Sequence, residues 1–145
     1  MHLHRAAVCL TLVALARSVA AAEGQPALDP AWTTQAEETA TAIREAIIVG
    51  VEVGLHEDVY VEFGAALTPG TVVAASARGV DVKTRIATIS LPWERLTPRR
   101  LYLIGKKYIP EDDAYMRLRL GTYCAVHHLY AEAREELLAA STLDD

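Results

Sequence analysis

The stretch Leu120–Ala140, LGTYCAVHHLYAEAREELLAA, decides how the C-terminal part of this 145-residue chain folds. Leu120 and Gly121 belong to one run of helical spacing, and Tyr130, Ala133, Leu137 and Ala140 belong to a second. Small residues at these positions let two short antiparallel helices pack closely on each other. Cys124 falls on the apolar face of the first helix and reads as a small buried hydrophobe. His127 and His128 are adjacent, so on a helix they point about 100° apart and do not grip one ion as an i, i+4 pair would. They end a helix instead, where imidazole meets the negative end of the dipole.

Working upstream, Thr97 caps a further helix and Pro98 takes its first position. Leu101, Ile104 and Tyr108 share one face of it, and Pro110 ends it. Glu111, Asp112 and Asp113 then open the helix that runs to about His127, placing acidic side chains at the positive dipole end. Trp93 and Leu96 mark the junction where this helical tail meets what precedes it.

From Ile47 to Pro92 the texture is different. IIVGVEV, VYVEF, TVVAAS, VDVK and IATISL are short and rich in Val, Ile and Thr. Turn signals separate them at Gly54–Asp58, Thr68-Pro69-Gly70, Ala77-Arg78-Gly79 and Thr84-Arg85. Val59, Val61 and Phe63 alternate with Tyr60 and Glu62, and Val80 and Val82 alternate with Asp81 and Lys83. Five short strands at this spacing predict an antiparallel meander curled into a small SH3-like barrel.

The N-terminus reads as an export signal. His2, His4 and Arg5 precede an apolar run from Ala6 to Ala16, and Ala20-Ala21-Ala22 offers a cleavage site before Glu23. The run is shorter than the ~20 residues that span a bilayer. Cleavage leaves Cys124 as the sole cysteine and rules out an intramolecular disulfide. A loose leader follows, and Thr34 with Glu37 forms a capping box. Ala36, Ala40, Ile43 and Ile47 continue at helical spacing from about Gln35 to Ala46. The expected division is thus 1–22 signal peptide, 23–46 leader and N-terminal helix, 47–92 β-barrel, and 93–145 helical tail.

Leu120, Gly121, Tyr130, Ala133, Leu137 and Ala140 together resemble one tetratricopeptide (TPR) unit. In that family a leucine and a glycine lie in the first helix, and an aromatic, two small residues and a large apolar one lie in the second. Arg117 stands where a tryptophan is often found, Cys124 where a tyrosine is common, and Asp145 where a proline would fall. Such units bind other proteins, chiefly through the first helix. The resemblance therefore implies a partner surface at Tyr115, Arg119, Thr122 and Val126. Stacked arrays need about three or more repeats, and here one unit follows a single helix.

A formal charge of -5 argues against general nucleic-acid binding. Arg95, Arg99, Arg100, Lys106 and Lys107 cluster, Glu111–Asp113 follow, and Glu132, Glu135, Glu136, Asp144 and Asp145 close the chain. Alternating blocks of this kind mark solvated faces and internal pairing. A face that binds an anionic polymer, a polysaccharide or an acidic surface, is the alternative. A third reading is a small hydrolase or metal enzyme centred on His56, Glu57 and Asp58, set against the ordinary polarity of an exposed turn. Glu37-Glu38 and Glu135-Glu136 read as solvated helix faces. The sequence contains no GxSxG elbow, phosphate loop or HExxH motif. The chain thus reads as an exported α+β protein, periplasmic or secreted: an SH3-like barrel followed by a three-helix tail ending in a TPR-like hairpin. It is expected to be a non-enzymatic protein–protein interaction or scaffold module for an unidentified protein. No catalytic residue, metal or cofactor is assigned, and no transmembrane segment is expected in the mature chain.

Overall fold

A computed structural model describes residues 29–63 and 66–143. The expected signal peptide and residues 23–28 of the leader lie outside these residues. The first described element is a 23-residue helix, α1 (Pro30–Glu52). This overturns the expected order of a barrel followed by helices, because Ile47–Glu52 continue α1 instead of forming a first strand. The β-branched run favours a strand by at most about 1 kcal/mol on intrinsic scales. Burying one isoleucine is worth about 1.5–3 kcal/mol. Ala36, Thr39, Ile43, Ile47 and Gly50 are buried at intervals of three and four, so the helical stripe runs straight through the valine-rich segment. Gly50 faces the Tyr108 ring so closely that a Cβ would collide with it. Gly54, with φ 90°, ends the helix: Leu55 N–H reaches the Gly50 carbonyl at 2.8 Å and Gly54 N–H reaches Val51 at 3.0 Å.

Four strands follow: β1 (Asp58–Phe63), β2 (Ala66–Ser76), β3 (Gly79–Thr84) and β4 (Thr88–Pro92). Each pairs antiparallel with the next in the order β1-β2-β3-β4, so the sheet is an open meander and not an SH3-like barrel. With the expected first strand absorbed into α1, no strand among the described residues joins β4 to β1. Val59, Val61, Val72, Val80 and Val82 form the dry inner face. A bulge lies between Val72 and Ala74. Thr68-Pro69-Gly70, expected as a turn, lies inside β2. Pro69 pairs across from Tyr60, one residue beyond the last β2–β3 pair at Gly70 and Thr84. Its missing N–H therefore costs the sheet no ladder bond.

The remaining described helices are α2 (Pro98–Gly105), α3 (Ala114–Val126) and α4 (Tyr130–Leu143), with 3-10 turns at Trp93–Arg95 and Lys106–Tyr108. The Thr97 side chain accepts from Arg100 N–H at 3.3 Å, and Asp113 accepts from Met116 N–H at 2.9 Å, capping α2 and α3. Three side chains tie this half to the sheet. Trp93 Nε1–H donates to the Ser76 carbonyl at 2.9 Å, Tyr108 OH accepts from Glu57 N–H at 3.3 Å, and Arg100 donates to the Tyr60 carbonyl at 3.2 Å. Gly105 lets Ile43 of α1 against the α2 backbone, where a Cβ would clash with the isoleucine. His128, at φ 60°, closes α3: Leu129 N–H bonds the Cys124 carbonyl at 2.8 Å, and α4 doubles back. Among the described residues no helix is long and apolar enough to cross a membrane.

Candidate functional site

The α2 sequence places Arg99 and Leu103 one turn apart, and Lys107 follows one turn further on. All three line one groove with residues of β1 and β2. Glu57 accepts from Val72 N–H, so by antiparallel alternation Val59 and Val61 bond to β2 while Asp58, Tyr60 and Glu62 turn their backbone groups to the free edge. Arg100 covers part of that edge, taking the Tyr60 carbonyl and pairing with the Glu62 carboxylate. What remains is a groove of about 480 Å³ between β1 and α2, floored by Val59 and Ile104. Tyr60, Leu67 and Leu103 stand along it with 68%, 64% and 48% of their surfaces exposed.

The basic cluster brackets this groove but is largely engaged. Arg99 pairs with Glu132 at 2.9 Å, Arg100 with Glu62, and Lys106 with Glu135 at 2.6 Å and Glu136 at 3.2 Å. The partners come from α4 and β1 and not from the neighbouring Glu111–Asp113 block. Arg95 and Lys107 are exposed, and only Lys107 lines the groove.

The four residues implied by the TPR resemblance divide into two pairs. Tyr115 is exposed, with the Arg119 guanidinium 5.7 Å from its ring centre. Arg119 Nε also donates to Thr39 on α1 at 3.3 Å. Thr122 and Val126 are buried, at 4% and 9% exposure. Residues of α1 and the C-terminal turn of α3 line a common cleft, so α1 lies along the side of α3 that a partner was expected to touch. The hairpin itself is tight: a Cβ on Gly121 would stand 2.6 Å from Leu137 Cγ.

His56, Glu57 and Asp58 do not converge on a common point. His56 Nδ1 bonds the Val72 carbonyl at 3.0 Å, Glu57 offers its backbone N–H to Tyr108, and Asp58 accepts from Thr71 Oγ1 at 2.7 Å. These contacts seat the start of β1. Among the described residues no group of three His, Cys, Asp or Glu is placed to hold a metal ion.

One polar cluster was not read from the sequence. Glu136, expected on a solvated face, is fully buried. Its Oε2 accepts from Arg117 Nη1 at 2.6 Å, and its Oε1 accepts from Tyr102 OH at 2.6 Å. Burial pushes the carboxyl upward, but the bonds from Arg117 and Tyr102 and the Lys106 and Arg117 charges outweigh it and hold the group below its ordinary value. Burial and the same carboxylate push the Tyr102 phenol up. The cluster joins α2, α3 and α4, with Lys106 linking it to Glu135 at the surface, which suits a bolt rather than a binding site. The signal in the sequence was phase: Arg117 precedes Leu120, Gly121 and Cys124 at core spacing, and Glu136 lies between Ala133 and Ala140.

No known protein family, no curated protein and no solved structure matches this chain.

Proposed function

We propose that this protein is a non-enzymatic interaction module that receives an acidic, partly apolar segment of another protein in the groove between β1 and α2. We place it outside the cytoplasm on the reading of residues 1–22. The observation that carries the proposal is the convergence of Tyr60, Leu67 and Leu103 on one groove. Single exposed apolar side chains are ordinary. Three of them along a single depression form the kind of patch that partners cover. A volume of about 480 Å³ accommodates a few side chains of a bound segment. Lys107 and Arg99 supply positive charge beside it, and the Arg99–Glu132 pair is exposed enough for a partner carboxylate to compete with it. Among the described residues the groove lining contains no His, Cys or Ser, and its two carboxylates are engaged by Thr71 and Arg100. This favours recognition over chemistry. The TPR-like hairpin serves here as the support behind α2, not as the docking surface itself.

Panning a random peptide display library against the mature protein tests this reading. The selected peptides should share an acidic residue beside an apolar one. Leu103→Asp and Lys107→Glu should each weaken them at least tenfold, with the far-ultraviolet circular dichroism unchanged. Peptides that bind both variants as well as the parent would overturn the groove. Heparin-like polymer bound in their place, with a steep salt dependence, would move the function to the anionic-polymer alternative.

A further inference from the structure

The groove between β1 and α2 has a strand edge running along it, and that edge constrains the shape of its occupant. Among the described strands β1 pairs only with β2. The Glu57 carbonyl accepts from Val72 N–H at 2.9 Å, so the ladder bonds to β2 fall at Val59 and Val61. The main-chain groups of Tyr60 and Glu62 therefore turn away from the sheet. They turn toward α2, because Arg100, itself a groove residue, donates to the Tyr60 carbonyl at 3.2 Å. The edge lies inside the groove.

The side chains around this edge form the two sets that a further strand needs. Val59 is buried on the inner face, and Ile104 of α2 lines the groove with it. Tyr60 and Glu62 point to the opposite face, where Leu67 stands across from Glu62. An extended segment along β1 sends alternate side chains to these two sides. One set meets Leu103 and Ile104, with Arg99 and Lys107 beside them, and the other lies next to Tyr60. A helix fits this edge poorly. It bonds its own main chain, and would cover the Tyr60 and Glu62 N–H groups without accepting from them. The opposite edge of the sheet is less suited. Trp93 N–H bonds the Arg78 carbonyl at 3.2 Å, so the outward residues of β4 include Pro92, which has no N–H to offer.

Resting on the reading that this groove receives an acidic, partly apolar segment, we infer that the segment binds as an extended strand and extends the sheet along β1. Its main chain pairs with Tyr60 and Glu62, which lie about 7 Å apart along β1, so about five residues suffice. Main-chain bonds supply the affinity and alternate side chains supply the choice of partner. The acidic residues of the segment belong to the set that faces α2, where Arg99 and Lys107 lie. In the other set they would stand beside Glu62, and like charges across a strand pair repel. Arg100 guards the edge in the free protein by holding the Tyr60 carbonyl and the Glu62 carboxylate. A partner N–H takes over that carbonyl, and Arg100 keeps Glu62.

The probe is the tightest peptide from the panning above, synthesised with acetyl and amide ends and added to the whole mature chain. At saturation the Tyr60 and Glu62 amides should exchange with deuterium at least tenfold more slowly than in the free protein. A methyl group placed on each peptide nitrogen in turn should weaken binding at least tenfold at alternate positions and little between them. Losses at consecutive positions, as a helix would give, or at no position would overturn the strand and leave the groove standing. Unchanged exchange at Tyr60 and Glu62, in a complex that Leu103→Asp still weakens, would do the same. If no selected peptide depends on Leu103, the groove and the strand fall together.

Discussion

Arg117 Nη1 on α3 lies 2.6 Å from Glu136 Oε2 on α4, and both side chains are buried. Because the other oxygen of Glu136 takes Tyr102 of α2, one carboxylate fixes three helices at once. Lys106 reaches the same oxygen at 3.2 Å and carries the network out to Glu135 at the surface. Desolvating two charges is expensive, and the cluster is favourable because each charge is both paired and hydrogen-bonded.

Removing one member should therefore hurt far more than removing both. Glu136→Ala leaves the Arg117 charge buried and should cost about 3–5 kcal/mol. The double variant Arg117→Met, Glu136→Leu should recover most of that loss by filling the space with apolar volume. Urea denaturation of the three proteins gives the comparison. Additive losses in the double variant would show that the two residues act separately.

The pH dependence has a definite sign. Glu136 is held below its ordinary value in the folded protein, so the unfolded chain binds its proton first as pH falls. Its stabilisation is complete above about pH 4.3, the unfolded reference, and disappears as pH drops through the folded value. The parent protein should lose stability more steeply on acidification below that point than the Arg117→Met, Glu136→Leu variant. Parallel acid limbs for the two proteins would remove Glu136 as the cause.

The glycine contacts make a separate prediction about packing. Gly121 faces Leu137 Cγ at 2.6 Å and Cδ2 at 2.7 Å from where a Cβ would stand, with the Ala133 carbonyl at 3.3 Å. Gly121→Leu should overpack the hairpin and cost about 1–3 kcal/mol, against a gain of up to about 1 kcal/mol from helix propensity. Gly105→Ala should likewise destabilise by crowding Ile43, which reports on the α1–α2 contact. A raised melting temperature for either variant would mean that the close approach is not there.

These contacts also show how far the sequence could be read. The cap at Thr97 and the small residue at Gly121 act locally, through a side chain a few positions away or through simple helical spacing, and so they were legible. The fate of Ile47–Val51 was not, because its strand-like composition is overruled by Tyr108 and other residues that lie far along the chain. Glu136 was misread for the same reason: a glutamate beside Glu135 looks solvated until Arg117 and Tyr102 are brought to it. Tyr60, Leu67 and Leu103 come from three elements with no shared spacing, so their groove exists only in the fold.

Cys124 provides the last prediction. It is a free thiol, fully buried on α3, and burial together with the nearby Glu136 and Glu132 carboxylates pushes it up to about 12. The thiolate is the reactive species, so at pH 8 almost none is present in the folded protein, and iodoacetamide has no path to the sulfur. Alkylation should then proceed only through opening of the α3–α4 hairpin and should be fast in denaturant. Peptide mapping by mass spectrometry assigns the modified residue. Gly121→Leu, by loosening the same hairpin, should speed labelling in proportion to its loss of stability when opening and closing are fast relative to alkylation. Labelling of the parent protein in native buffer as fast as in denaturant would show that Cys124 is not buried as described. An unchanged labelling rate in a destabilised Gly121→Leu protein would show that the hairpin is not the element that opens.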